Sequence, residues 1–568
     1  MRLSEKLEGR ALACTIIAAG FLHCLLYFNY FETPSEDFIG NIRPLAETYM
    51  RGDFGGFNYK FLPLYPLVLA ALSRINPFPA GDVIYSTAIA LNLSLFIPYA
   101  LTVYLIYRRF LKGRALPGAM LFLMLNTYTV FTAVNSELET LLCLLVVLSV
   151  LHALKGSRFS YLAAFLAALT KWDAAFTVPA AMTRDFFDKK KRVLSLILGI
   201  LAASGITAWF VMSFIAAPGH MHPYVREIAE RGPVHLRYLA DCLLVLSGLI
   251  PWMAMDAFRS GGLLIKAASY TFIAAYGLLL LGSLVWGLVL LLRRHRKELA
   301  PVLVFLAGFI ALHMVYQNTK ERYVLPILWL LVLALFYGIS EGLLPALDGL
   351  MRRMKGRYRG IAGIALLSIL AAACIAGLAR LICAERLPLL ACALLFTGLA
   401  LIIAVQGESS SKISRALMVL AAGIIINLSL FHGISAMDHY SLRRVEFKKA
   451  ALWFKEHAGE RDRMLVTEIN VPKYYTGFGN ERFVCSLSLE SDTVDALVPE
   501  LGRRGITHVF VDDFYIRRLA LGDKNAIDRK AFLFQHIRDD ESLRARFRPV
   551  ASFETKGGIK SHLYRFVR

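Results

Sequence analysis

Glu36 and Asp37 stand side by side in ETPSEDFIGNIRPLAETYMRGDFGGFNYKFLPLYP, the polar stretch from Glu32 to Pro66. Lys60 follows within it, and farther on come Ser136-Glu137-Leu138-Glu139, Lys171 with Asp173, and Lys320-Glu321-Arg322. Each group closes or interrupts an apolar run, and charges at the mouth of a membrane cavity cost free energy unless they are solvated or used. Together they suit chemistry on a lipid-borne phosphate. Lys60, Arg322 and Lys171 are cations that can hold a phosphate and neutralise its charge as it departs. Asp37, or its neighbour Glu36, can take a proton from an acceptor hydroxyl. Glu137, with Glu139 beside it, can orient the acceptor or help bind a metal, although no ligand set marks one. Two plainer readings compete: Glu36 and Asp37 as acids at the start of a helix, and all five groups as a rim of interfacial salt bridges. His220 and His222 read as solvated loop residues and His313 as a core histidine, since no pair has zinc spacing.

These groups must be positioned by membrane helices. The chain has 568 residues, of which 57% are hydrophobic, and a mean hydropathy of +0.54. That excludes a disordered or ordinary soluble protein and predicts a polytopic membrane protein. The formal charge of +21 then belongs on cytoplasmic loops beside anionic lipid headgroups, with no call for nucleic acid. Seven of the eight cysteines lie in apolar stretches and only Cys485 in the polar tail, so no disulfide framework is expected.

Basic clusters set the topology. Arg2, Lys6 and Arg10 precede an uncleaved first span, Ala11 to Phe31, so the N-terminus is expected inside and the acidic loop outside. In that loop Phe38 to Met50 reads as a short helix that breaks at Gly52. Val83 to Tyr107 returns inside, Ala115 to Val134 goes out, and NSELET leads into Leu141 to Leu154. Tyr161 to Ala181 has basic residues on both sides, which predicts a hairpin of two short helices turning at Lys171-Trp172-Asp173. Val193 to Ala217 goes out, and 218–262 reads as an outer loop with a partly inserted helix. Leu263 to Leu292, Pro301 to Tyr316 and Tyr323 to Leu343 follow, then Ile361 to Leu381, Leu387 to Val405 and Ala416 to Met437. That makes about 13 crossings for residues 1–437 and places the tail, 438–568, outside. The tail is polar, with a helix at Leu442 to His457 and another at Asp492 to Arg503. Strands are predicted at Met464 to Thr467, Phe483 to Ser486, His508 to Asp512, Val550 to Phe553 and His562 to Val567, forming a small α/β domain. It has no Gly-rich phosphate fingerprint.

The acidic loop running into KFLPLYPLVLAAL resembles the first loop of the GT-C glycosyltransferases, the superfamily that includes protein O-mannosyltransferases and lipid A aminoarabinose transferases. NSELETLLCLL is similar to the start of that superfamily's outer "S-E" span, AALTKWDAAFTVPAAM to its broken hairpin, and ERYVLPILWLLVL to its "RYxLP" span. The resemblance implies a GT-C-like domain and an inverting transferase. Its donor would be a polyprenyl-phosphate-linked sugar and its acceptor a lipid, glycan or protein outside a bacterial inner membrane. By carry-over Glu36-Asp37 holds the base, with Asp37 favoured. Lys60 matches the lysine before the Pro-rich turn, and Arg322 the phosphate-side arginine. No cofactor is implied with certainty, and a divalent cation, Mg or Mn, stays open. The rival reading is a transporter or flippase of a lipid-linked sugar, against which stands the lack of an internal repeat.

Overall fold

Apolar runs become helices whose ends are closed by local polar groups, as at Asp82. Its Oδ1 accepts the N–H groups of Ile84 and Tyr85 at 2.9 and 3.1 Å, and its Oδ2 accepts Arg43 Nε at 2.5 Å. That carboxylate thereby starts Val83–Phe110 and ties it to the helix Arg43–Met50. The structure is a computed structural model that describes residues 2–27, 34–53, 61–76, 82–186, 190–216, 236–247, 263–316, 321–346, 445–513, 516, 526–554 and 560–567. The spans expected at Ile361–Leu381, Leu387–Val405 and Ala416–Met437 lie outside the described residues, as do Lys60, His220, His222 and Lys320.

The described residues form two units: 2–27 with 41–346, and 34–40 with 445–567. The first is a polytopic helical architecture. Among its described residues Val83–Phe110, Arg192–Met212, Gly277–Val315 and Arg322–Ala346 are long and apolar enough to cross a membrane. Ala115–Leu125 and Thr127–Val134 add a fifth if counted together, but they are bent by 52°, where the sequence predicted one straight span. The bend sits at Asn126, whose Oδ1 caps the second helix by accepting the Tyr128 N–H at 3.0 Å while its Nδ2 donates to the Val245 carbonyl at 2.9 Å.

The hairpin predicted around Lys171 is present. Phe159–Thr170 stops where Lys171 turns extended, Trp172–Phe176 makes a tight turn, and Thr177–Phe186 packs back. The Tyr161 hydroxyl then reaches Asp185 Oδ2 at 3.2 Å, so the two arms of the hairpin meet at the ends away from the turn. The helical stretch Leu263–Val315 contains two predicted spans and kinks at His295, whose backbone leaves helical geometry.

Ahead of that kink, helices touch backbone to backbone. A Cβ on Gly287 would run into the Ala334 carbonyl oxygen, and one on Gly338 into that of Ser283. Small residues permit such approach in membranes, where packing rather than water drives association. Gly287→Ala or Gly338→Ala is expected to destabilise the purified protein by about 1–3 kcal/mol. At Gly282 a Cβ meets nothing within 4 Å, so Gly282→Ala should leave thermal unfolding unchanged; equal melting of all three variants would refute the close crossing.

The second unit is a five-stranded sheet. Its strands are β1 (Met464–Val466), β2 (Phe483–Cys485), β3 (His508–Val511), β4 (Phe547–Glu554) and β5 (Lys560–Phe566), in the order β2-β1-β3-β5-β4. The first three run parallel and β5 is antiparallel to both of its neighbours. Alternation along the strands feeds two cores. Leu465, Val484, Val509 and Val511 face the helices Val494–Arg503 and Ala526–Asp539. Met464, Val466, Phe483 and Phe510 pack with Phe447, Phe454 and Val471 of the helices Val445–His457 and Asn470–Thr476, and with Ile39 from the acidic loop.

Glu500 locks one edge of this unit. Burial acts to raise its pKa, but the Ser491 hydroxyl and the N–H groups of Glu490 and Ser491 donate to its carboxylate, with Arg504 alongside. The balance lowers it to about 2. A depressed carboxylate stabilises the fold fully above its unfolded value of about 4.3. That contribution should be lost as pH falls from there through about 2. Hydrogen exchange of 483–511 in the intact protein should accelerate over that window, and Glu500→Gln should flatten the dependence.

Candidate active site

At one end of the helical unit, polar side chains hold a turn in place before it presents two carboxylates. Asn92, within Val83–Phe110, donates from Nδ2 to the carbonyls of Asn135 and Glu137 at 2.6 and 2.7 Å. The Tyr65 hydroxyl donates to the Ser136 carbonyl at 3.1 Å, and Asn135 Oδ1 accepts the Ser136 N–H at 2.7 Å. Glu139 then begins the helix Glu139–Lys155 and is 3% exposed. Acids suit that end of a helix.

Arg322 meets both acids from a tight turn, Glu321–Val324. Its Nη1 donates to Glu137 Oε2 at 2.5 Å, and its Nε lies 3.8 Å from Glu139 Oε1. On the next residue, Tyr323, two cations converge: Lys171 Nζ lies 4.1 Å from the ring centroid and the Arg322 guanidinium 5.7 Å. Cations over an aromatic face are attracted by its quadrupole.

Lys171 pairs with Asp173, Nζ to Oδ2 at 3.3 Å, and His313 Nε2 stands 3.5 Å from the same oxygen. His313 Nδ1 lies 2.8 Å from the Phe309 carbonyl, so each ring nitrogen faces an acceptor. Tyr238 stacks on the imidazole with centroids 4.7 Å apart, and its hydroxyl donates to the Tyr323 carbonyl at 3.0 Å. Lys171, Asp173, His313, Tyr316 and Tyr323 line one small cavity. Asp173 Oδ1 and Glu139 Oε2 are buried without a hydrogen-bond partner. The cluster thus keeps two cations and three carboxylates in fixed positions, and Lys171 and Arg322 are its groups able to pair with an anionic ligand.

The acidic pair belongs to the second unit. Ser35, which the sequence reading passed over, accepts the Phe38 N–H at its Oγ (3.2 Å) and the Ile39 N–H at its carbonyl (3.0 Å). Ser35 is therefore the side-chain cap, and Glu36 and Asp37 occupy the first turn, half-buried. Near them is Cys485, whose thiol burial pushes up, with the carboxylates of Glu468 and Glu36 adding to the effect.

Of the sequence-predicted residues, then, Glu137, Glu139, Lys171 and Arg322 come together, and Glu36 and Asp37 sit with the tail. The alternative of a salt-bridge rim is realised in two pairs, Arg322–Glu137 and Lys171–Asp173. Sequence reasoning missed Tyr323, although it lies inside the quoted ERYVLP, and it missed Asn92, a lone amide in an apolar helix whose position was itself a signal. His313, expected as a core histidine, is buried, but against Asp173. Among the described residues no three His, Cys, Asp or Glu side chains gather as a metal-ligand set. Glu137 and Glu139 both face Arg322.

No protein-family model and no curated protein matches the sequence. Its structure is similar to crystal structures of ArnT from Cupriavidus metallidurans at 14% identity. The TM-score is 0.52 for the form bound to undecaprenyl phosphate, covering 98% of this chain and 98% of that one. For the apo form it is 0.50, covering 99% and 98%. A crystal structure of the Archaeoglobus fulgidus oligosaccharyltransferase tethered to an acceptor peptide gives 11% identity and a TM-score of 0.48, over 97% of this chain and 74% of that one. The chain shares the fold of the ArnT structures over nearly its whole length.

Proposed function

We propose that this protein is a membrane glycosyltransferase that moves a sugar from a polyprenyl-phosphate donor to an acceptor hydroxyl or phosphate on the outer face of the membrane, with inversion. The observation that carries the reading is the convergence of Lys171 and Arg322 on Tyr323, each backed by a carboxylate, at one end of an apolar bundle. The helix from Glu139 there to Lys155 at the other end is 17 residues long, about 25 Å at 1.5 Å per residue. With the basic clusters inside, this end is the outer one, in keeping with a cytoplasmic N-terminus, about 13 crossings and an extracytoplasmic tail. The ArnT structure that shares the fold has undecaprenyl phosphate bound, which supports a donor of that class and a place in a bacterial inner membrane.

In this reading Arg322 and Lys171, joined by Lys60, hold the donor phosphate, and Glu137 and Glu139 keep the guanidinium aimed. Asp37 takes the proton as the acceptor oxygen attacks the anomeric carbon; the bond from that carbon to the phosphate oxygen breaks, and polyprenyl phosphate leaves with the electron pair. A flippase would use the same cations but leave the glycosidic bond intact, and no observation favours it.

Donor capture is the first test. Protein in nanodiscs should retain added undecaprenyl phosphate in native mass spectra, and Lys171→Gln should weaken that retention about tenfold, as for loss of one charge-assisted contact. Equal retention by the variant and the parent would remove Lys171 from the site.

A further inference from the structure

The segment that carries the acidic pair is built into the tail. Residues 34–40 group with the soluble unit rather than with the helices that flank them in sequence. Two neighbours of Asp37 make the attachment. Ile39 is 7% exposed and sits in the core formed by Phe447, Phe454, Val471 and Phe483. Gly40 lies so close to the tail that a Cβ there would stand 2.8 Å from Asn470 Nδ2. Ser35 closes the turn on the other side of the pair, so Glu36 and Asp37 are held between a cap and an apolar anchor.

We infer that the C-terminal domain is the positioning element for the catalytic carboxylate: Ile39, Gly40, Val471 and Asn470 fix the turn bearing Asp37, and the reaction depends on their contact. These are positioning residues, acting through Asp37. The inference rests on the reading of Asp37 as the base. It assigns the tail a role in catalysis that needs no binding site of its own. A side chain reaching from the first turn of a helix follows the backbone that carries it, and small displacements of a general base are costly because proton transfer needs hydrogen-bond distance.

The test uses the full-length protein in nanodiscs. Ile39→Ala and Val471→Ala should each lower kcat for sugar transfer about tenfold or more, with KM for the donor changed less than about twofold. Ile39→Leu should restore most of the rate, and the double alanine variant should be little worse than either single one, since both loosen the same apolar core. Hydrogen exchange should rise in peptides covering 34–40 while those of 508–511 stay protected, which separates a loosened turn from an unfolded tail. Gly40→Val, which drives a side chain into Asn470, should be relieved by adding Asn470→Gly. Faster exchange of 34–40 with an unchanged kcat would overturn the inference, as would a Val471→Ala protein unaltered in both measurements. An Asp37→Asn enzyme of normal rate would instead sink the functional reading, and unaltered exchange of 34–40 in Val471→Ala would then overturn the attachment by itself.

Discussion

Asp37→Asn is expected to lower the rate of sugar transfer by about 10²–10⁴-fold, the usual span for a lost general base, with donor affinity unchanged. The amide keeps the size of the carboxylate and the first-turn position but cannot accept a proton at neutral pH. Glu36→Gln should cost far less, because only one carboxylate of a neighbouring pair can face the acceptor. Single-turnover transfer, with donor binding measured separately, checks both. A loss confined to Glu36→Gln would reassign the base within the pair; a loss in neither would take the acidic turn out of the chemistry.

Arg322→Gln carries the second large effect, about 10²–10³-fold in kcat/KM, the range seen when one donor to a developing anion is removed. The guanidinium pairs with Glu137 at 2.5 Å and lies near Glu139, so its removal also leaves two acids facing an apolar interior. That second consequence costs stability, because a charge deprived of its partner is worse than no pair at all. The two effects separate by experiment. Arg322→Gln combined with Glu137→Gln should recover thermal stability while transfer stays low. Recovery of activity along with stability would mean that Arg322 serves only as a structural partner.

The helices were legible because long apolar runs mark them directly. The hairpin at Lys171 followed from basic residues on both sides of a run long enough for one span, because a single crossing would put one basic cluster outside. The tail strands were legible by alternation, to within three residues at each end. The kink at Asn126 was not, because it depends on an amide that bonds to Val245, a partner distant in sequence. The same is true of the site. Types and rough placement of Glu137, Lys171 and Arg322 could be read from the chain, but not that Tyr323 joins them or that His313 meets Asp173. Nor did periodicity show that Ile39 belongs to the tail's core: it marks a residue as apolar on one helix face without saying what covers that face.

The most direct measurement is the fate of a radiolabelled polyprenyl-phosphate sugar in proteoliposomes containing the purified protein, run across a panel of sugars and acceptors. The account predicts that at least one donor is consumed, releasing polyprenyl phosphate and a labelled acceptor of inverted anomeric configuration, and that Asp37→Asn abolishes this. Passage of intact donor between leaflets with no transfer to any acceptor would contradict it and identify a flippase.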